Sequence, residues 1–453
     1  MNSIDPTTGE VIASYQEHSW TEVDSRVIAA DRAFQSWRRS AFSDRRPLMM
    51  AAGDLLESRK DELALLMAVE MGKPVTAGRA EVEKCAWVCR YYADEAEGML
   101  ADRDYPTERT RSYLHHEPLG TVLAVMPWNF PFWQVFRFLG PGLMAGNAAV
   151  LKHSSNVSGC ALAIEEIMRT AGFPEGLFST LLIGSAMVDR VLEHPAIVAA
   201  TLTGSDPAGR AVATKAGSLL KKTVLELGGS DPYLVLADAD LELAAKTCAA
   251  SRLINGGQSC IAAKRFIVVE EVADDFTTAF CAEMARFEMD DPRKESTKLG
   301  PQARHDLRDE LHTQVERSIE AGAALLLGGE VPPGPGAFYP PTVLAGVHKG
   351  MPAYHEELFG PVASVITAVD EDEAIAVAND SPFGLGAAIF SRDVARAEHL
   401  AANRLEAGCC FVNALVASDP RLPFGGIKTS GYGRELSDLG IREFVNQKTV
   451  VVA

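Results

Sequence analysis

Between Thr121 and Leu227 the chain passes through five short apolar stretches: TVLAVM (121–126), AAVLK (148–152), FSTLLI (178–183), IVAATLT (197–203) and KTVLEL (222–227). Each is continuously apolar rather than alternating, the pattern of strands buried on both faces. Helix-length segments separate them; the one at 158–171 stops at Gly172 and Pro174, residues that end helices. Strands alternating with helices predict an α/β fold with a parallel, doubly wound sheet. Ligands of such sheets bind beyond the carboxyl ends of the strands.

Upstream, the first hundred residues read as helices. Thr21 and Asp24 read as a capping box, followed by Val23, Val27, Ala30, Phe34 and Trp37 on one helical face. A later helix stops at Gly72 and Pro74. Downstream, a second α/β alternation occupies 232–413, with strands expected at 265–269, 361–367, 385–390 and 409–413. GGEVPPGPGAFYPP (328–341) is a surface loop. The tail FVNQKTVVVA (444–453) is β-prone with no obvious partner in its own chain. Because an unpaired apolar strand is an aggregation edge, pairing with another subunit is expected.

Composition narrows the function. The 453 residues carry 43 Lys+Arg against 61 Asp+Glu, a formal charge of −18, so no basic stripe is available for nucleic acid. A membrane span needs about 20 largely apolar residues; the most apolar region, 119–151, is broken by Pro127, Asn129, Pro131, Gln134 and Arg137. MNSIDPTTGE has the features of no signal peptide. Eight cysteines without a CxxC pair fit neither a disulfide scaffold nor a zinc ribbon, and the ten histidines form no metal-binding cluster. The expectation is a reduced, cytoplasmic protein without a metal. Cys85 and Cys89 continue a helical face with Val82 and Tyr92, Cys409 and Cys410 share a strand, and His115–His116 reads as a surface turn.

Four places offer chemistry. Cys260 in NGGQSCIAAKR follows Gly256 and Gly257, which permit tight turns that expose a thiol; alone, such a cysteine is more often inert. Glu226 ends the fifth apolar stretch, where a carboxylate is either a solvated strand end or a general base. Asn129, hemmed in by Trp128, Phe130, Pro131 and Phe132, stabilises a loop or donates to an oxyanion. Arg137, in an apolar run, needs a carboxylate partner. For a cofactor there is no G-x-G-x-x-G; GLGAAI (384–389) lacks the third glycine. Ser205 in LTGSDPAG (202–209), before a helix opening at Pro207, makes a pyrophosphate seat, although Gly-Ser turns are common.

PWNFP (127–131), the lysine of LKHSS (151–155), TGSDPAG (203–209), ELGG (226–229), GQSC (257–260), EELFGP (356–361) and PFGGIKTSGYGRE (423–435) occur in one order and spacing. Together they resemble the aldehyde dehydrogenase superfamily over nearly the whole chain. The resemblance implies a modified Rossmann cofactor domain (1–102 and 120–228) and an α/β catalytic domain (229–425). It also implies a small β oligomerisation element (103–119 and 436–453) in a homodimer or homotetramer. It implies Cys260 as nucleophile, Glu226 as general base and Asn129 as oxyanion-hole amide. Trp128, Lys152, Ser155, Ser205, Glu357 and Phe359 would bind the cofactor. Many NAD-specific relatives carry a glutamate three residues past the lysine. Here that residue is Ser155, with Lys152 and His153 nearby, so NADP is expected in preference to NAD. Arg137 and Ser418 match the substrate-carboxylate pocket of bacterial succinate-semialdehyde dehydrogenases. The departure is Ile254, where some of those enzymes carry a second arginine; Arg252 is out of register. The runner-up reading is a broad aliphatic aldehyde dehydrogenase with Arg137 paired internally. From a different class, a non-catalytic homologue would keep only the cofactor cleft.

Overall fold

The computed structural model describes residues 1–453. Four helices fill most of the first hundred residues: α1 (Trp20–Trp37), α2 (Phe42–Ser58), α3 (Lys60–Met71) and α4 (Val75–Met99). The capping box of α1 is Ser19 with Glu22, two residues earlier than Thr21 and Asp24. Ser19 N–H donates to Glu22 Oε2 at 2.7 Å and Glu22 N–H returns to Ser19 Oγ at 3.4 Å. The earlier start brings Trp20 onto the apolar core. Helix α3 ends on Gly72 in a left-handed conformation. The expectation of helices alone misses a hairpin, β1 (Asn2–Ile4) with β2 (Val11–Ser14). Its turn is set by Asp5 Oδ1, which accepts from Thr7 N–H at 2.8 Å, and by Gly9 at φ 78°.

Five parallel strands follow as expected: β5 (Thr121–Met126), β6 (Ala148–His153), β7 (Phe178–Thr180), β8 (Ile197–Thr203) and β9 (Lys222–Glu226). The sheet order is β19-β9-β8-β5-β6-β7, with β19 (Gly431–Tyr432) added antiparallel at the edge. From β5 the chain builds outward first through β6 and β7, then returns to lay down β8 and β9 on the other side. The order therefore reverses between β5 and β8, and a crevice opens beyond their carboxyl ends. Helices α5 (Trp133–Met144), α6 (Ser158–Thr170), α7 (Val188–Glu193) and α8 (Asp206–Ser218) form the crossovers, and α1–α4 share their core.

The second sheet runs β12-β13-β14-β11-β10-β16-β17, parallel except for β12. Its strands are β10 (Pro232–Val235), β11 (Arg265–Val269), β12 (Ala324–Leu327), β13 (Thr342–Ala345), β14 (Val362–Ala368), β16 (Gly386–Phe390) and β17 (Cys409–Val412). Short β15 (Phe383–Gly384) pairs with β18 (Ile427–Lys428). One apolar layer covers each face. Helix α9 (Leu241–Leu253) leads into the loop that carries Cys260 and then into β11.

A third sheet joins β3 (Arg103–Asp104), β4 (Arg111–Pro118) and β20 (Val445–Val452). The tail therefore has a partner in its own chain: β20 pairs antiparallel with β4 from Val445↔Pro118 to Val452↔Arg111. His115 and His116 lie within β4, not in a turn, because the ladder pairs them with Lys448 and Gln447. No helix is long and apolar enough to cross a membrane.

Candidate active site

The loop after α9 is forced into shape by three consecutive left-handed residues, Asn255 (φ 52°), Gly256 (φ 64°) and Gly257 (φ 76°). Gly257 is pressed against the loop holding Glu357: a Cβ there would lie 2.1 Å from Gly360 O. Side-chain amides stitch this loop to the segment after β5. Asn255 Nδ2 donates to Asn129 O at 2.7 Å, and Asn129 Nδ2 donates to Gln258 O at 3.1 Å. From the other side, buried Lys264 Nζ donates to Ser259 O and Cys260 O, both at 2.9 Å, and lies 3.4 Å from Glu357 Oε1. In the sequence Lys264 reads only as a charge before a strand.

Two cavities of about 280 Å³ each meet at Cys260. The first is the crevice between β5 and β8, lined by Trp128, Asn129, Ser205, Glu357 and Phe359. Trp128 and Phe359 meet edge to face at 5.8 Å. Ser205 is the N-cap of α8, yet its hydroxyl makes no capping bond and is free for a ligand. Glu357 Oε1 accepts from Gly229 N–H at 3.0 Å; a Cβ on Gly228 would sit 2.5 Å from its other oxygen. Lys152 and Ser155 lie one strand over, at the end of β6, and do not line this cavity. Burial lowers the Lys152 ammonium from its ordinary value. His153 is unsuited to any ligand: its ring is buried between Met126 O and Pro131 O, and burial pushes it down to about 4.

The second cavity is lined by Lys73, Lys84, Trp133, Arg137, Ile254 and Ser418, among others. Arg137 is buried, ion-paired with Glu435, and donates to Thr203 Oγ1 at 3.2 Å. Arg252 does not line the cavity; it is fully buried and donates to Gly257 O at 2.7 Å. Lys84, which no sequence motif marks, donates to Ser418 Oγ at 2.8 Å. Lys84 shares one face of α4 with Ala77, Ala80 and Glu81 at helical spacing, a pattern that marks a helix face but does not point to Ser418.

Burial pushes the Cys260 thiol up to about 12, while Arg137 and Lys264 pull it back toward the thiolate. Glu226 is brought close but lines neither cavity. It is buried against Gly425, and neither oxygen has a hydrogen-bond partner. Burial raises it well above the carboxylate range, with Arg137 opposing the shift and Glu435 adding to it. A half-buried thiol, an amide donor and a carboxylate held toward its protonated form thus lie close together where the crevice meets a cavity lined by Lys73, Lys84 and Arg137.

The pattern defining the Aldehyde dehydrogenase family matches residues 1–450. The chain belongs to that family. Among its relatives, this aldehyde dehydrogenase is 50% identical over 451 residues to a protein of Synechocystis sp., named a probable succinate-semialdehyde dehydrogenase [NADP(+)], covering 100% of this chain and 99% of that one. It is 48% identical to the succinate-semialdehyde dehydrogenase [NADP(+)] of Mycobacterium avium, covering 99% and 96%. The fold matches the Streptococcus pyogenes succinic semialdehyde dehydrogenase solved with NADP+, at TM-score 0.97 and 37% identity, over 100% of this chain and 99% of that one.

Proposed function

We propose that this aldehyde dehydrogenase oxidises succinate semialdehyde to succinate with NADP, through a thioester on Cys260. The observation carrying the reading is the meeting of the two cavities at that sulfur, one suited to a dinucleotide and the other holding Arg137, Lys84 and Ser418. The names of relatives near 50% identity support the same substrate and cofactor.

The residues present fit the dinucleotide. Ser205, with its uncommitted hydroxyl at the start of α8, suits the pyrophosphate, and Glu357 suits the nicotinamide ribose. Trp128 and Phe359 wall the crevice. Lys152 suits the adenosine ribose, and the exposed Ser155 leaves a 2′-phosphate unopposed by a carboxylate. When bound, NADP supplies the hydride acceptor.

Cys260, as thiolate, attacks the aldehyde carbon, forming a C–S bond while the carbonyl oxygen gains the negative charge. Asn129 Nδ2 and the Cys260 N–H are the donors for that oxygen; the Asn255 and Gln258 bonds hold the amide in place beforehand. Oxidation leaves a thioester on the sulfur. Glu226, whose burial raises its affinity for a proton, takes one from the water that hydrolyses the thioester. Arg137 and Ser418 receive the distal carboxylate. We further propose a cytoplasmic homo-oligomer assembled through the β3-β4-β20 sheet, a reading supported by eight unpaired cysteines and by the open edge of β20.

The ion pair of Arg137 with Glu435 favours a second reading, broad oxidation of uncharged aldehydes. A steady-state panel of succinate semialdehyde and butanal, each with NADP and NAD, separates them. Expected are higher kcat/KM with NADP and a preference for the charged aldehyde. An arginine–carboxylate bond contributes about 1.5–3 kcal/mol. Arg137→Ala is therefore expected to raise KM for succinate semialdehyde about tenfold or more, at ~1.4 kcal/mol per decade. Equal losses on both aldehydes would remove Arg137 from the substrate site.

A further inference from the structure

The second cavity holds three cations, and their partners differ. Lys73 is ion-paired with Glu81, whose other oxygen accepts from Phe132 N–H at 2.9 Å and Trp133 N–H at 3.0 Å. Arg137 is ion-paired with Glu435. The remaining carboxylate nearby, Asp419, is engaged by Arg421 at 2.6 Å. Ile254, from the Cys260 loop, contributes only an apolar wall. Lys84 alone has no carboxylate. Its ammonium uses one donor on Ser418 Oγ at 2.8 Å and stands 4.3 Å from the centroid of the Trp133 ring. An ammonium has three donors, so others are left for a ligand. With Lys73 and Arg137 each balanced by its own carboxylate, the uncompensated positive charge of the cavity is the one on Lys84.

We propose that Lys84 is the cation that selects aldehydes bearing a distal carboxylate, with Ser418 holding its ammonium toward the cavity. The inference deepens the substrate reading above and rests on it. It divides the labour between two groups. Arg137, tied to Glu435 and Thr203, lends rigid shape and a partly neutralised charge; Lys84 lends the charge that makes an anionic substrate favourable there. The trimmed face of α4 fits this role, because Ala77 and Ala80 leave room beside the lysine that longer side chains would fill.

The groups facing Lys84 come from three elements: Glu81 and Cys85 on its own helix, Arg137 on α5, and Asp419 on the loop after Ser418. Burial, then Arg137, lower its ammonium to about 8. It is mainly charged at neutral pH, and binding of an anion weakens as pH rises through that value.

The experiment compares wild type, Lys84→Met and Lys84→Arg on succinate semialdehyde and on butanal, an uncharged aldehyde of the same chain length. Lys84→Met is expected to lower the ratio of the two kcat/KM values at least tenfold, chiefly by raising KM for the charged aldehyde. Lys84→Arg should recover most of that ratio. In wild type the KM for succinate semialdehyde should climb above pH 8, and Lys84→Met should flatten the climb. Succinate should also shield Cys260 from iodoacetamide in wild type at a concentration at least tenfold lower than in Lys84→Met, a readout independent of turnover. Melting curves and a milder Lys84→Gln variant guard against misfolding. A wild type that prefers the charged aldehyde, with Lys84→Met and Lys84→Gln keeping that preference within twofold, overturns the role of Lys84 alone. A wild type with no such preference overturns the substrate reading and this inference with it.

Discussion

Cys260 sits where two cavities join, with burial favouring its thiol and the charges of Arg137 and Lys264 favouring its thiolate. Because its pKa lies near 12, the thiolate fraction of the enzyme alone rises about tenfold per pH unit across the neutral and mildly alkaline range. Alkylation of Cys260 by iodoacetamide, read by mass spectrometry with Cys260→Ala as control, should therefore accelerate from pH 7 to 10 without levelling off. A plateau below pH 9 would mean that the positive charges outweigh burial. At this scale the motif residues were legible, since Cys260, Asn129, Glu357 and Ser205 stand in recognisable local strings. Lys84 was not: its partner Ser418 lies 334 positions away, and no local pattern ties a helix lysine to that hydroxyl.

The Cys260 loop works as an element because its backbone is held in conformations that side chains resist. Gly256 and Gly257 are both left-handed, but only Gly257 faces backbone at 2.1 Å; a Cβ on Gly256 would meet nothing closer than 3.4 Å. Left-handed backbone alone costs a substituted residue about 1–2 kcal/mol. Gly256→Ala should then lower Tm by a few degrees and keep measurable turnover. Gly257→Ala should lower it further and lose most activity, because the loop must retreat from Gly360 and carry Cys260 with it. Indistinguishable melting curves would show that the close approach to Gly360 does not hold the loop. Element types along the parallel sheets were readable from apolar runs, but their ends were not. FSTLLI (178–183) stops being strand at Thr180, where pairing of β7 with β6 ends at Leu151, although Leu181 and Ile183 stay buried. Burial is written in composition, whereas a ladder's length is set by its neighbour.

For the whole molecule, the β3-β4-β20 sheet is the part built from the most distant segments. β20 closes eight cross-strand pairs onto β4, while its outer edge carries no partner and Val451 and Val452 are largely exposed. An open strand edge with apolar residues is a template for pairing, which is the basis of the homo-oligomer proposed above. If the proposed homo-oligomer forms through this sheet, deleting residues 446–453 is expected to leave a monomer in light scattering that keeps most of its far-UV helical signal. If the shortened chain assembles like the full one, this sheet is not the interface.

The alternation of apolar runs and helices and the string of family motifs that contains Cys260, Asn129 and Glu226 are local properties, and the sequence by itself determined them. Burial on two faces and turn formation each leave a mark within a few residues. Tertiary structure alone decided which charges cancel. It paired Arg137 with Glu435, placed Arg252 away from the cavity, gave the C-terminal tail a strand of its own chain, and left Lys84 without a counter-charge. Charge balance in a cavity depends on distances between side chains that share no neighbourhood in the chain, and only folding sets those distances.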